Sequence, residues 1–266
     1  MNSIIKLTKG ILEEPQLIFK LAKNDFKAKY SNSFLGITWA FIQPLITILV
    51  FWFVFQIGFK TAPVDNVPYI LWFIPAYIPW IYFTEILNST ANCMLEYSYL
   101  VKKVKFCIEI IPSVKIVSAA FVHVFFIGFI FCMYFILGAD ITIYSVQAIY
   151  YTVALTLLGF GLGMLVSSVT VLFKDFAQIV NVVLQIGFWA TPIYWNPEIM
   201  EGWVVTILKL NPMYYIINGY RGCFVGQDVF WNHPIQTVYF WTIVIVMWIL
   251  GCRMFTSLRP YFADEL

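Results

Sequence analysis

Between Gly36 and Gly58 the chain runs 23 residues without an Asp, Glu, Lys, Arg or His. At about 1.5 Å of rise per residue, such a run extends roughly 34 Å as a helix, enough to cross a hydrocarbon core about 30 Å thick. Lipid offers the backbone no hydrogen-bond partners, so a segment of this kind crosses with its bonds closed internally. That one stretch sets soluble folds aside. The composition agrees, since 61% of the 266 residues are hydrophobic and only 11% are charged, outside the usual globular range.

Lys20, Lys23, Lys27 and Lys29 precede the run, and Lys60 is the only base between it and the next apolar stretch. The asymmetry predicts a cytoplasmic N-terminus. The run begins too late, and its WFVF is too bulky, for a cleaved signal peptide. The span is therefore retained.

Further apolar stretches follow at about Tyr69 to Ala91, Ser113 to Leu137, Tyr144 to Phe173, Ile179 to Tyr194 and Ile235 to Phe255. Six crossings place twelve of the sixteen bases on the inner side. Lys60, Lys209 and Arg221 fall outside, and Lys115 sits near the start of the third span. Both termini are then cytoplasmic. Ahead of the first span, Phe19, Ala22, Phe26 and Tyr30 recur at helical spacing beside a stripe of Lys20, Lys23 and Lys27, the pattern of a helix lying in the headgroup layer. Pro75, Pro79 and Glu85 in the second stretch predict an irregular entry and a polar side chain turned to a cavity or another span. Between Thr191 and Gly226 the chain is too polar to cross once and too apolar for a loop. Two half-helices, near Pro197 to Leu208 and Pro212 to Phe224, fit it as a re-entrant pair. The expected fold is thus an all-α membrane protein with six transmembrane helices, an N-terminal amphipathic interfacial helix, and two short re-entrant half-helices between the fifth and sixth spans. It forms a single domain over 1–266: interfacial to residue 35, spanning from 36 to 257, with a cytoplasmic tail from 258.

Several chemistries are excluded. There is no GxxxxGK[ST], and no carboxylate pair or Ser/His/Asp set at a workable spacing. Five scattered cysteines lack the spacing of a metal site and read as reduced packing residues. His123, alone in a span, is either a packing residue or a proton relay. The formal charge of +2 does not suggest a nucleic-acid partner. Gly159 and Gly163 have the spacing of a close helix contact, within or between subunits. Aromatic residues make up 20% of the chain, which suits lipid-boundary belts and equally a path for sugars.

The motifs FKAKYSNSFLGITWAFIQPL, IPWIYFTEIL, LVKKVKFCIEIIP, FKDFAQIV, FWATPIYW and LNPMYYIINGYRG, in this order, resemble the membrane subunit of polysaccharide ABC exporters of the O-antigen, capsule and wall teichoic acid type. Cys107 and Lys174 depart from that pattern, where proline and arginine are common. The resemblance implies a homodimer bound to two ABC ATPase subunits. ATP and Mg are held on the ATPase, and no cofactor is held here. The cargo would be an undecaprenyl-diphosphate-linked glycan moved across the cytoplasmic membrane. Leu95 to Pro112 then corresponds to the coupling helix, with Lys102, Lys103, Lys105 and Glu109 meeting the ATPase. Lys23, Lys27 and Lys29 are placed to attract the diphosphate, and Trp39, Tyr82 and Trp189 to face the channel. A drug or lipid exporter, and a membrane scaffold that transports nothing, are the competing readings.

Overall fold

The computed structural model describes residues 9–11, 13–31, 33–61, 63, 67–103, 107–226 and 228–266; the side chains at 101–103 and 198 are not among those described. Among the described residues the structure is a helical bundle. Helix α1 (Pro15–Tyr30) opens with proline in its first turn, where the missing N–H costs nothing, and ends on Lys27 and Lys29, which complement the helix dipole. A short 3₁₀ turn, with Gly36 at φ +53°, reverses the chain into α2 (Trp39–Phe51), which loosens into π-helical turns over Trp52–Gly58. Then come α3 (Tyr69–Glu96), α4 (Ser98–Lys103), α5 (Ile110–Ile136), α6 (Gln147–Leu172), α7 (Phe176–Ala190), α8 (Gly202–Leu208), α9 (Pro212–Arg221), α10 (Pro234–Leu258) and α11 (Phe262–Glu265). Among the described residues, five stretches are long and apolar enough to cross a membrane: Gly36–Gly58, α3, α5, Ile143–Leu172 and Pro234–Glu265. The apolar α7 has only 15 residues, about 22 Å of helix.

Helix α3 is the axis of the bundle. It packs against α5, α6, α7 and α9, and 78% of its apolar window is buried, against 11% for the first span. It runs unbroken through Pro75 and Pro79 instead of entering irregularly. Pro75 has no N–H to offer the carbonyl of Leu71, and the Tyr134 hydroxyl donates to that oxygen from α5 at 2.9 Å. Satisfying the freed carbonyl lets the helix continue.

Glycines set the other contacts. A Cβ on Gly251 of α10 would lie 2.2 Å from the backbone oxygen of Gly161 in α6, and one on Gly161 would lie 2.7 Å from the nitrogen of Trp248. The two backbones touch as they do in small-residue helix crossings. Gly159 and Gly163 do the same work within the chain, against Ile86 and Thr90 of α3.

Beyond α7, the first short element is a 3₁₀ turn over Pro197–Ile199 followed by α8, which starts at Gly202 because Glu201 is extended. The second, α9, starts at Pro212, and the Asn211 side chain caps it by accepting from the Met213 N–H at 3.0 Å. Helix α9 is buried against α3 and α6.

Candidate functional site

Helix α1 is held to the bundle by charge as well as by apolar contact. Ile18 and Ala22 pack on Ile110 and Val114 of α5, and Phe19 and Phe26 meet Phe121 edge-on at 5.7 and 5.8 Å. The next residue on the same face is Asp25, buried, which accepts from Lys115 Nζ of α5 at 2.6 Å and from the Tyr97 hydroxyl at 2.9 Å. Lys115 also pairs with Glu96 at the end of α3 and lies 5.2 Å from the centre of the Tyr97 ring. One buried ammonium thus joins three elements.

Lys29, one turn further on, reaches Glu85 of α3 at 2.5 Å. Burial works against the Lys29 charge, but the facing carboxylate outweighs it and raises the lysine's pKa. This pair borders a cavity of about 500 Å³ between α1, α2, α3 and α5, lined by Gln43, Thr47, Tyr77, Trp80, Tyr82 and Phe188 among others. A second cavity of about 430 Å³ shares Lys29, Glu85, Asn88 and Ser118 with the first and extends to Asp25, Glu96 and Lys115. A third, about 310 Å³, lies between α3 and α7 and shares Trp80, Thr84, Asn88 and Phe188 with the first. Asn88 borders all three, and its buried Oδ1 has no hydrogen-bond partner among the described residues.

The three cavities differ in chemistry. The one beneath α1 holds three carboxylates and two ammonium groups, whereas the one between α3 and α7 is lined by Thr84, Asn88, Asn181, Gln185, two tryptophans, Leu184 and Phe188, with no ionisable side chain among them. Uncharged amides and hydroxyls exchange hydrogen bonds with sugar hydroxyls, and flat rings cover the apolar faces of pyranoses. Polar residues four apart mark this lining, Thr84 and Asn88 on α3 and Asn181 and Gln185 on α7, and Gln43 and Thr47 of α2 repeat the spacing at the first cavity. The aromatic residues drew attention in the sequence, and this amide and hydroxyl spacing went unused.

The sequence-derived candidates separate into groups. Lys23 and Lys27 share the exposed face of α1, while Lys29 turns inward to Glu85. Trp39 and Trp189 are exposed, and Trp189 borders the third cavity. Tyr82 is buried between spans, stacked on His123 at 4.3 Å and within 3.1 Å of the Thr156 hydroxyl, and it lines the first cavity. His123 sits inside that packing, its Nε2 3.0 Å from the Tyr220 hydroxyl. Lys105 and the side chains of Lys102 and Lys103 lie outside the described residues. Glu109 is buried at the start of α5, where it accepts from Arg259 and, at 3.1 Å, from the Cys107 thiol. Burial and the adjacent Glu109 push that thiol's pKa up to about 11.

At the opposite end of the bundle, Arg221 of α9 lies 3.4 Å above the Trp72 ring and donates to the carbonyls of Trp72 and Ile193, the latter at 2.6 Å. The Tyr69 hydroxyl donates to the Tyr194 carbonyl at 3.0 Å. These bonds tie α9 and the segment after α7 to the start of α3.

The family model for the ABC-2 type transporter matches residues 16–225, which include nearly all of α1, the three cavities and α9. The chain is similar to the O-antigen export system permease protein RfbA of Myxococcus xanthus, 24% identical over 99% of this chain and 100% of that protein. It is also similar to an RfbA of Klebsiella pneumoniae, 22% identical over 94% and 95% of the two. With four-fifths of its length matched, this chain belongs to the ABC-2 type transporter family.

Proposed function

We propose that this chain is the permease subunit of an ATP-driven exporter that moves lipid-linked polysaccharide across the cytoplasmic membrane. The observation that carries the reading is the trio of cavities meeting at Asn88, charged beneath the interfacial helix and neutral, amide-lined and aromatic between α3 and α7. Such a series suits a cargo with an anionic head and a hydroxyl-rich chain. The names of the O-antigen export relatives support the same class.

In this reading α7 is a short fifth crossing, α8 and α9 dip into the outer leaflet and return, and both termini are cytoplasmic. The exposed apolar residues of α2 (Ile46, Leu49, Val50), of the π-helical turns after it (Phe53) and of α7 (Ile179, Val182, Val183, Ile186) face a second copy or lipid, and the amide-lined groove borders the path between copies. Two ATPase subunits, which hold ATP and Mg, press on the segment from Leu95 to Pro112. The exposed Lys23 and Lys27 gather an undecaprenyl-diphosphate headgroup at the membrane surface, and Lys29 meets it at the cavity. Trp39, Trp189 and, from the cavity wall, Tyr82 offer faces along which sugar rings slide.

Reconstitution with its ATPase in proteoliposomes tests the reading. Lipid-linked glycan should stimulate ATP hydrolysis, and alanine at both Asn181 and Gln185 should remove the stimulation while leaving the assembly intact. Hydrolysis indifferent to the glycan, or stimulated equally by drugs and ordinary phospholipids, would overturn it.

A further inference from the structure

The second cavity, which the charged groups share, is not a simple anion trap. Around it stand Asp25, Glu85 and Glu96 against Lys29 and Lys115. Lys115 is committed: it is buried and holds Asp25 at 2.6 Å and Glu96 besides. Lys29 is the base at the mouth, its side chain 45% exposed, and Glu85 neutralises it at 2.5 Å. Among the described residues three carboxylates face two ammonium groups, and with Glu85 in contact the Lys29 charge is already engaged, so a diphosphate finds no open cation as long as Glu85 stays where it is. Glu85 is itself one-third exposed and stands at the junction of two cavities, so its carboxylate has room to turn away.

We propose that Glu85 is the resident stand-in for the cargo's anionic headgroup: an entering prenyl diphosphate displaces its carboxylate from Lys29, and Glu85 thereby sets how strongly and how selectively the permease accepts a headgroup. The inference rests on the proposed function and adds a specificity-determining residue to it. A single weak anion fails to displace a carboxylate already in contact. A diphosphate, with more charge and several acceptor oxygens, succeeds. The exchange conserves one ion pair at Lys29 and releases Glu85 toward the first cavity, where Gln43, Thr47 and Asn88 can donate to it or take its place along the wall.

The test is binding of farnesyl diphosphate to the permease with its ATPase in nanodiscs. Glu85→Gln should tighten binding on the order of tenfold and Lys29→Gln should weaken it by a similar factor, as expected for one hydrogen-bonded charge gained or lost. The double variant should match Lys29→Gln, because Glu85 acts through Lys29. Glu85→Asp, which keeps the charge and withdraws it by one methylene, should fall between wild type and Glu85→Gln, and serves if the latter does not assemble. Inorganic pyrophosphate should rank the variants in the same order at lower affinity. If Lys29→Gln weakens binding but neither Glu85 variant tightens it, or if pyrophosphate ranks the variants differently, the stand-in role falls and the export reading survives. If wild type and Lys29→Gln bind equally, no headgroup reaches this lysine and both fall. If phosphatidylglycerol in the nanodisc erases the difference between wild type and Glu85→Gln, the site belongs to bulk lipid phosphate and the inference is overturned.

Discussion

Replacing Lys115 by methionine should release the interfacial helix from the bundle, and the size of the effect follows from what stays behind. The ammonium holds Asp25 at 2.6 Å, and Lys115 and Asp25 have side chains only 8% and 9% exposed. Without it, Asp25 keeps one hydroxyl donor, Tyr97 at 2.9 Å, while Glu96, which shared the same cation, becomes a repulsive neighbour. Removing one partner of a buried pair costs about 3–5 kcal/mol, because the remaining charge is stranded. The remaining Tyr97 hydroxyl limits that cost and favours the lower end. The apolar hold on α1 through Ile18 and Ala22 contributes roughly 1.5–3 kcal/mol for a fully buried aliphatic side chain and less for alanine. The cost of the stranded charge is therefore comparable with the burial of one such aliphatic side chain, and, with Phe19 and Phe26 still on Phe121, its loss should loosen α1 locally while the spans stay folded. Hydrogen exchange of α1 amides in the detergent-solubilised or nanodisc complex should then accelerate roughly 10²- to 10³-fold, with little change in α3 or α10. Asp25→Asn should do less, on the order of 1–2 kcal/mol, because the amide still accepts from Tyr97 and Lys115 retains the half-exposed Glu96. The double variant should cost less than the two singles added together. If α1 exchange in Lys115→Met stayed within threefold of wild type, the helix would be held by lipid and apolar contact alone, and the argument from the triad would be wrong.

The glycine contacts give a graded series. Gly251→Ala puts a methyl 2.2 Å from a backbone oxygen, Gly163→Ala meets only the Thr90 side chain at 3.0 Å, and Gly128→Ala meets nothing within 4 Å. Thermal midpoints should fall in that order, by about 1–3 kcal/mol of overpacking for the first and near zero for the last. Equal midpoints for Gly251→Ala and Gly128→Ala would show that α6 and α10 do not approach this closely. At Cys107, where the pKa is pushed up to about 11, the reactive thiolate is scarce at neutral pH, and alkylation should accelerate with pH up to that value. Arg259→Gln removes the cation next to Glu109, leaves an unopposed carboxylate beside the thiol, and should slow the alkylation further. A rate independent of pH between 7 and 10 would contradict that environment.

The all-helical character, the uncharged apolar stretch from Gly36 to Gly58 and the helix that ends at Tyr30 were legible in the sequence, because each depends on composition or periodicity within one segment. What escaped depends on partners far along the chain. The spacing of Phe19, Ala22, Phe26 and Tyr30 points to one face of α1, but Phe19 is 56% exposed, and the face that sinks carries Ile18, Ala22 and Asp25. An aspartate enters a buried face only because Lys115 lies 90 residues later in sequence and 2.6 Å away in space. No helical period reports that. The same holds for α3, in which Pro75 argues for a break until Tyr134, 63 residues after Leu71, supplies the missing donor to the Leu71 carbonyl.

Lys29 shows how the two kinds of information combine. Grouped by sequence with Lys23 and Lys27, it belongs to a basic juxtamembrane cluster. On the helix it stands two residues, about 200°, past Lys27, and this rotation turns it from the membrane surface to Glu85. In the proposed mechanism, the charges that attract a headgroup, Lys23 and Lys27, and the charge that must release a resident carboxylate, Lys29, therefore lie on different faces of one helix. Capture and admission become separable steps: neutralising Lys23 and Lys27 acts on the first, Glu85 acts on the second, and only Lys29 is required at the point where they meet.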